Sequence, residues 1–134
     1  NDFYDDYAHH PTEIKSTLES VKNVYKDRKI ISIFEPHRYT RVLSLKRNFA
    51  KSFIKSSLVL LCPIYAAGEK KNPRFKTVEF AKMISNLSKT QVIIMKSTKD
   101  IEKYLKRNLI SNEIVIGMGA GTLSKYMREL KFLL

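Results

Sequence analysis

The chain has 134 residues, of which 43% are hydrophobic and 28% charged, and its formal net charge is +12. That length suits one domain with a real core, and that balance belongs to a folded globular protein, not to a disordered one. No apolar run approaches the roughly 20 residues a membrane helix needs; the longest, SLVLLCPIY, is strand-sized and interrupted by Pro63.

The opening stretch YDDYAHHPTEI, from Tyr4 to Ile14, concentrates Asp5, Asp6, His9 and His10. A strand at Asp2–Asp5, or just before it, precedes this cluster. Pro11, Thr12 and Glu13 then give a start signal for a helix over Thr12–Tyr25, with Ile14, Leu18, Val21 and Val24 at helical spacing. Lys29–Phe34 (KIISIF) is apolar on both faces and reads as a buried strand. Val42–Ser56 repeats Leu45, Phe49, Phe53 and Ile54 as one helix, and Ser57–Ile64 is the next strand. After an irregular stretch, Tyr65–Lys76, come a helix at Thr77–Leu87 and a strand at Gln91–Met95. A helix at Lys99–Asn108, a strand at Glu113–Met118 and a helix at Thr122–Leu130 complete the order. Alternation of this kind predicts right-handed βαβ units in a three-layer, Rossmann-like open sheet, mainly parallel, with helices on both faces.

Ligands of such sheets bind beyond the carboxyl ends of the strands. The least ordinary residues fall there: EPHRYTR, IYAAGEK and GMGAGTLS. Arg38 and Arg41 are three apart and share a face once a helix begins, so with His37 they form a cradle for a carboxylate or phosphate. The glycines of GMGAGTLS lack dinucleotide-fingerprint spacing and serve either tight packing or close approach to a ligand. No G-x-x-x-x-G-K-[ST] loop is present, so the chain brings no phosphate-binding loop of that kind. DDYAHH has metal-ligand types, but adjacent histidines in an extended segment point to opposite sides. With only His37 and Cys62 elsewhere, no metal site is assigned. The motif remains open between an acid/base centre and an interdomain hinge.

The acidic N-terminus shows no secretory leader, and Cys62 has no partner for an internal disulfide, so a reduced thiol and a cytoplasmic location are expected. The first residue is Asn1, not Met, as expected of a piece of a longer chain. The basic residues are scattered and lack the aromatic platforms that stack bases. A basic nucleic-acid-binding module is therefore the alternative, not the leading reading.

In this order and at these separations, DDYAHHPTEI, FEPHRYTR, YAAGE and GMGAGTLS resemble the C-terminal domain of the Mur ligases over nearly the whole chain. PHRYTR matches the alanine-adding branch and departs from the tripeptide-adding one, which is the alternative within the family. The resemblance implies a three-domain cytoplasmic ligase of peptidoglycan synthesis, and so of cell-wall biogenesis, cell shape and division. Residues 1–134 would be its amino-acid-binding domain, inactive alone, with the UDP-sugar domain and a central domain holding ATP and Mg2+ upstream. Its substrates would be UDP-N-acetylmuramate, L-alanine and ATP, joined through an acyl phosphate. By position, the resemblance assigns Asp6 and Tyr7 to nucleotide contact at a hinge and His9 to the reaction centre. It assigns His37, Arg38, Arg41, Tyr65 and Ala120 to the amino-acid substrate. Glu35 stands where the family usually has Gln, Pro63 where an Asp is common, and KKNPRF replaces the usual loop after AAGE.

Overall fold

Three segments, IISIF, LVLL and IVIGM, are buried at every position, which only strands covered on both faces can be. The computed structural model describes residues 1–134, apart from the side chain of Lys131. In chain order the elements are β1 (Asp2–Asp6), α1 (Pro11–Val24), β2 (Ile30–Phe34), α2 (Tyr39–Ser44), α3 (Lys46–Ala50) and β3 (Leu58–Leu61). They continue with α4 (Thr77–Ser88), β4 (Gln91–Ile94), α5 (Thr98–Asn108), β5 (Ile114–Met118) and α6 (Thr122–Leu133).

The strands form one sheet in the order β1-β5-β2-β3-β4. Every pair is parallel, so the expected mainly parallel sheet is wholly so among the described residues. Helices α1, α3 and α4 pack on one face, through Ile14, Leu18, Phe49, Phe80 and Ile84. Helices α5 and α6 cover the other, through Ile101, Leu105, Leu123, Met127 and Leu130. The chain therefore leaves β1 and β2 toward one face but leaves β5, lodged between them, toward the opposite face. Such a reversal opens a crevice at the carboxyl ends of the strands.

The helix expected over Val42–Ser56 is shorter and kinked. Leu45 departs from helical geometry (φ −113°, ψ 20°), although Leu45 N–H still donates to Arg41 O and Phe49 N–H to Leu45 O. The helix ends at Ala50 because Ser88 from α4 enters its ladder. Ser88 Oγ accepts from Phe53 N–H at 3.0 Å and donates to Ala50 O at 2.6 Å. A side chain inserted in this way ends a helix without leaving buried backbone unpaired. At the amino end of the sheet, Arg28 donates to Asp2 Oδ2 (2.6 Å) and to the carbonyls of Asn112 and Glu113, tying β1 to the approach of β5.

Ser88→Ala strips both buried backbone groups of their partner. The expected outcome is a loss of about 1–3 kcal/mol in unfolding free energy, checked by urea denaturation with an unchanged m-value.

Candidate functional site

The carboxyl ends of β1, β2, β3 and β5 deliver four loops to one edge. The loop after β2 begins with Glu35, 6% exposed, which never reaches solvent as a surface acid would. Its Oε2 accepts from Thr122 Oγ1 at 2.6 Å and its Oε1 from Leu123 N–H at 3.3 Å, at the first turn of α6. A carboxylate is well placed there, against the positive end of the helix dipole. Gly119 and Gly121 permit this. A Cβ on Gly119 would lie 3.0 Å from Glu35 Cβ, and one on Gly121 would lie 2.5 Å from Tyr65 Cγ and 2.7 Å from Glu35 Oε1. Of the two readings open for these glycines, close packing is the one the geometry displays. Ala120 between them is half-buried and offers only a methyl group and its backbone.

Past Glu35 and Pro36 the chain pairs with the loop after β3: Tyr65 N–H donates to Pro36 O and Arg38 N–H to Tyr65 O, both at 2.8 Å. The two loops thus extend the β2–β3 ladder by one rung, His37 opposite Tyr65. Their rings stack with centroids 5.4 Å apart, and His9 approaches His37 edge-on at 5.7 Å. Three of the expected site residues are thereby brought into one contiguous aromatic group.

Arg38 was expected on a helix face with Arg41. It instead occupies the position before α2, with φ +67° and ψ 129°, while Arg41 lies inside the helix and is half-buried. A non-glycine residue there is strained by about 1–3 kcal/mol, and such strain clusters at ligand-holding positions. The strain releases Arg38 from the helix surface and leaves its side chain exposed.

Two buried polar atoms here have no partner: His37 Nδ1 and Arg41 Nη1. Burial, and then the charges of Arg41, His9 and Arg38, hold His37 below its ordinary value of 6.5, against a smaller opposing pull from Glu35. His37 is therefore a neutral ring beside two guanidiniums at neutral pH. His9 Nδ1 lies 2.8 Å from Tyr7 O, and a carbonyl can only accept, so Nδ1 carries the proton. In the neutral ring Nε2 is then a free acceptor.

Asp6 turns back into the domain. Its Oδ1 accepts from Ala8 N–H at 2.8 Å and its Oδ2 from Thr17 Oγ1 at 3.3 Å. Tyr7, 59% exposed, projects outward. Glu13 accepts from His10 N–H (3.1 Å), fixing the entry into α1. A cavity of about 200 Å³, bounded by Glu35, Cys62, Tyr65, Ser97, Ile101 and Thr122, lies on the side of α5 and α6. Burial pushes the Cys62 thiol up to about 12, so it is no nucleophile at neutral pH.

One contact at this edge escapes the sequence reading. Glu69, in the loop after β3, accepts from Thr40 N–H (3.1 Å) and Thr40 Oγ1 at the start of α2. The sequence reading singles out its motif, YAAGE, but gives Glu69 no role.

A doubly covered parallel sheet with a basic, aromatic crevice at its carboxyl edge defines the class: an open parallel α/β domain. The family described as "Mur ligase, glutamate ligase domain" matches residues 1–121, and this chain belongs to it. A UDP-N-acetylmuramate–L-alanine ligase of Pelagibacter ubique is 48% identical over 128 residues, covering 96% of this chain and 28% of the relative. One from Fusobacterium nucleatum is 41% identical, covering 94% and 26%. Among solved structures, a UDP-N-acetylmuramate–alanine ligase of Thermotoga maritima matches with a TM-score of 0.69 at 26% identity, over 95% of this chain and 25% of that one. The chain thus spans roughly a quarter of the length of these relatives. A murein peptide ligase of Psychrobacter arcticus shares the fold at a TM-score of 0.74 and 22% identity, over 99% and 28%.

Below pH 6.5 the unfolded chain takes up a proton at His37 that the folded chain resists. The neutral ring's contribution to stability is thus complete above 6.5 and is lost as pH falls through the depressed folded value. His37 is expected to titrate by NMR with a midpoint below 6.5, and His37→Gln to flatten the acid-side loss of stability.

Proposed function

We propose that this chain is the amino-acid-binding domain of an ATP-dependent ligase that joins L-alanine to UDP-N-acetylmuramate in peptidoglycan synthesis. The observation that carries the reading is the pair of buried, partnerless atoms, His37 Nδ1 and Arg41 Nη1, beside the strained Arg38. Buried polar atoms are nearly always paired, so two orphans in one basic crevice argue for a group that arrives later. The carboxylate of an amino acid supplies lone pairs and opposite charge together. The identities of 48% and 41% to alanine ligases support alanine as that amino acid.

No group of three or more metal-ligating side chains converges among the described residues, and both Asp6 oxygens are engaged within the domain. This donor set does not suit a resident metal. ATP and Mg2+ are therefore assigned to upstream domains of the longer protein, as is the UDP-sugar. There ATP would supply the phosphoryl group that activates the muramate carboxylate. The part of this chain is to bind and orient. Arg38 and Arg41 hold the alanine carboxylate, and the His37–Tyr65 stack walls the site. His9, with its Nδ1 proton held on Tyr7 O, presents Nε2 to take a proton from the incoming ammonium, since only the free amine attacks. Exposed Tyr7, beside the first helix, would meet the nucleotide when the domains close and exclude water. Asp6 would join it there only by giving up its contacts to Ala8 or Thr17. No helix of the described residues is long and apolar enough to cross a membrane, and a cytoplasmic location is proposed with the substrates.

In the full-length protein, phosphate release from ATP is expected only when UDP-N-acetylmuramate and alanine are both present. Arg38→Ala is expected to raise the KM for alanine at least about tenfold, as loss of a charge-assisted hydrogen bond implies. An unchanged KM would remove Arg38 from the substrate cradle.

A further inference from the structure

Four observations meet at the start of α2. Arg38 holds φ +67° there. Its N–H is fixed to Tyr65 O and its carbonyl to Val42 N–H. Immediately after Tyr65 the loop after β3 reverses: Glu69 N–H donates to Ala66 O at 3.1 Å across Ala67 (φ +53°) and Gly68 (φ +87°). Positive φ at both central residues is the mark of a type I′ turn, which is tight and suits glycine at its second position. The reversal returns Glu69 to Thr40, two residues after Arg38, where its carboxylate takes both the backbone N–H and the side-chain hydroxyl. The Thr40 hydroxyl first, then the backbone N–H groups of Thr40 and Tyr39 and the charge of Arg38, hold this carboxyl below its ordinary range.

We propose that Glu69 is a positioning residue for the amino-acid substrate: by clasping Thr40 it holds the first turn of α2 and so the strained presentation of Arg38. The inference rests on the reading of Arg38 as a substrate ligand. Left free, a non-glycine residue at positive φ relaxes to an ordinary backbone conformation, and the following N–H groups follow it. With its own N–H pinned to Tyr65 O and Thr40, two residues on, pinned by Glu69, Arg38 has no path to relax. The same clasp accounts for the AAGE sequence: two small residues and a glycine make the turn, and the acid closes it. The substituted KKNPRF segment begins one residue later and reaches the same turn through Phe75, whose ring meets Tyr39 edge-on at 5.9 Å.

The test is steady-state kinetics on the full-length protein with Glu69→Ala, Glu69→Gln and Arg38→Lys. Glu69→Ala is expected to raise the KM for alanine about tenfold, the equivalent of one hydrogen-bonded cap, with kcat and the KM values for ATP and UDP-N-acetylmuramate within about twofold. Glu69→Gln keeps both contacts, since its amide oxygen accepts from Thr40 N–H and its amide nitrogen donates to Thr40 Oγ1. It is expected to restore the alanine KM to within about threefold of the parent. If Glu69→Ala leaves the alanine KM unmoved while Arg38→Lys raises it, Glu69 has no positioning role and the substrate cradle stands. If neither variant moves it, the cradle itself falls and the inference falls with it. If Glu69→Ala lowers the melting temperature and shifts all three KM values together, the clasp is merely structural and the inference is overturned.

Discussion

The level finish of the five strands is the constraint on which the rest of the molecule depends. Asp6, Met118, Phe34, Leu61 and Ile94 are register partners in turn across the sheet, each the last residue of its strand. A one-residue slip of β5 would exchange its buried faces and move the loop after it by about 3.3 Å. Gly119 would then lose its fit against Glu35, and the first turn of α6 would lose the carboxylate that meets it. β5 is protected against such a slip because both faces are fully apolar-packed and both edges are hydrogen-bonded. Gly117 adds a steric lock: a Cβ there would lie 2.3 Å from Met127 Cγ, so α6 sits down on the strand itself.

From this level edge the site is assembled by contacts that run sideways between loops. Glu35 joins the loop after β2 to α6, Tyr65 joins it to the loop after β3, and His9 brings in the segment after β1. These contacts are hydrogen bonds or ring contacts to polar rings, whereas those holding the sheet are apolar, from aliphatic side chains and a phenylalanine group around Phe34. The division has a physical reason. An apolar core forgives exchange of similar side chains, but hydrogen bonds and stacked rings impose direction, and direction is what a substrate cradle needs.

The strands were the most legible part of the sequence, since a run such as KIISIF admits few alternatives once glycine, proline and helix spacing bound it. Four loops at one edge followed from the alternation of elements. What periodicity could not reveal was any feature made by a distant residue. The apolar spacing of Leu45, Phe49, Phe53 and Ile54 carries no notice that Ser88, 35 residues beyond Phe53, ends the helix. Nor does PHRYTR announce positive φ at Arg38, whose N–H is held by Tyr65 and whose second neighbour, Thr40, is held by Glu69. The gathering of His9, His37 and Tyr65 at one edge was legible through local motifs, but the orientations of the candidate residues were not. Arg38 and Arg41 stand three apart without sharing a helix face.

The orphaned atoms of His37 and Arg41 give the site its energetic character. Burying an unpaired polar group costs about 1–3 kcal/mol, and the strain at Arg38 costs a similar amount. A domain of ordinary stability, about 5–15 kcal/mol, carries such costs only because the sheet beneath is over-determined. The same costs favour a ligand. A carboxylate entering the crevice meets donors that have already lost their water and rings that are already ordered, so less entropy remains to be lost on binding. The net charge of +12 attracts that carboxylate from solution but cannot choose among anions. Choice requires fixed geometry, and in the proposed role it would come from an unrelaxed arginine backbone and a histidine kept neutral between an aromatic wall and two guanidiniums.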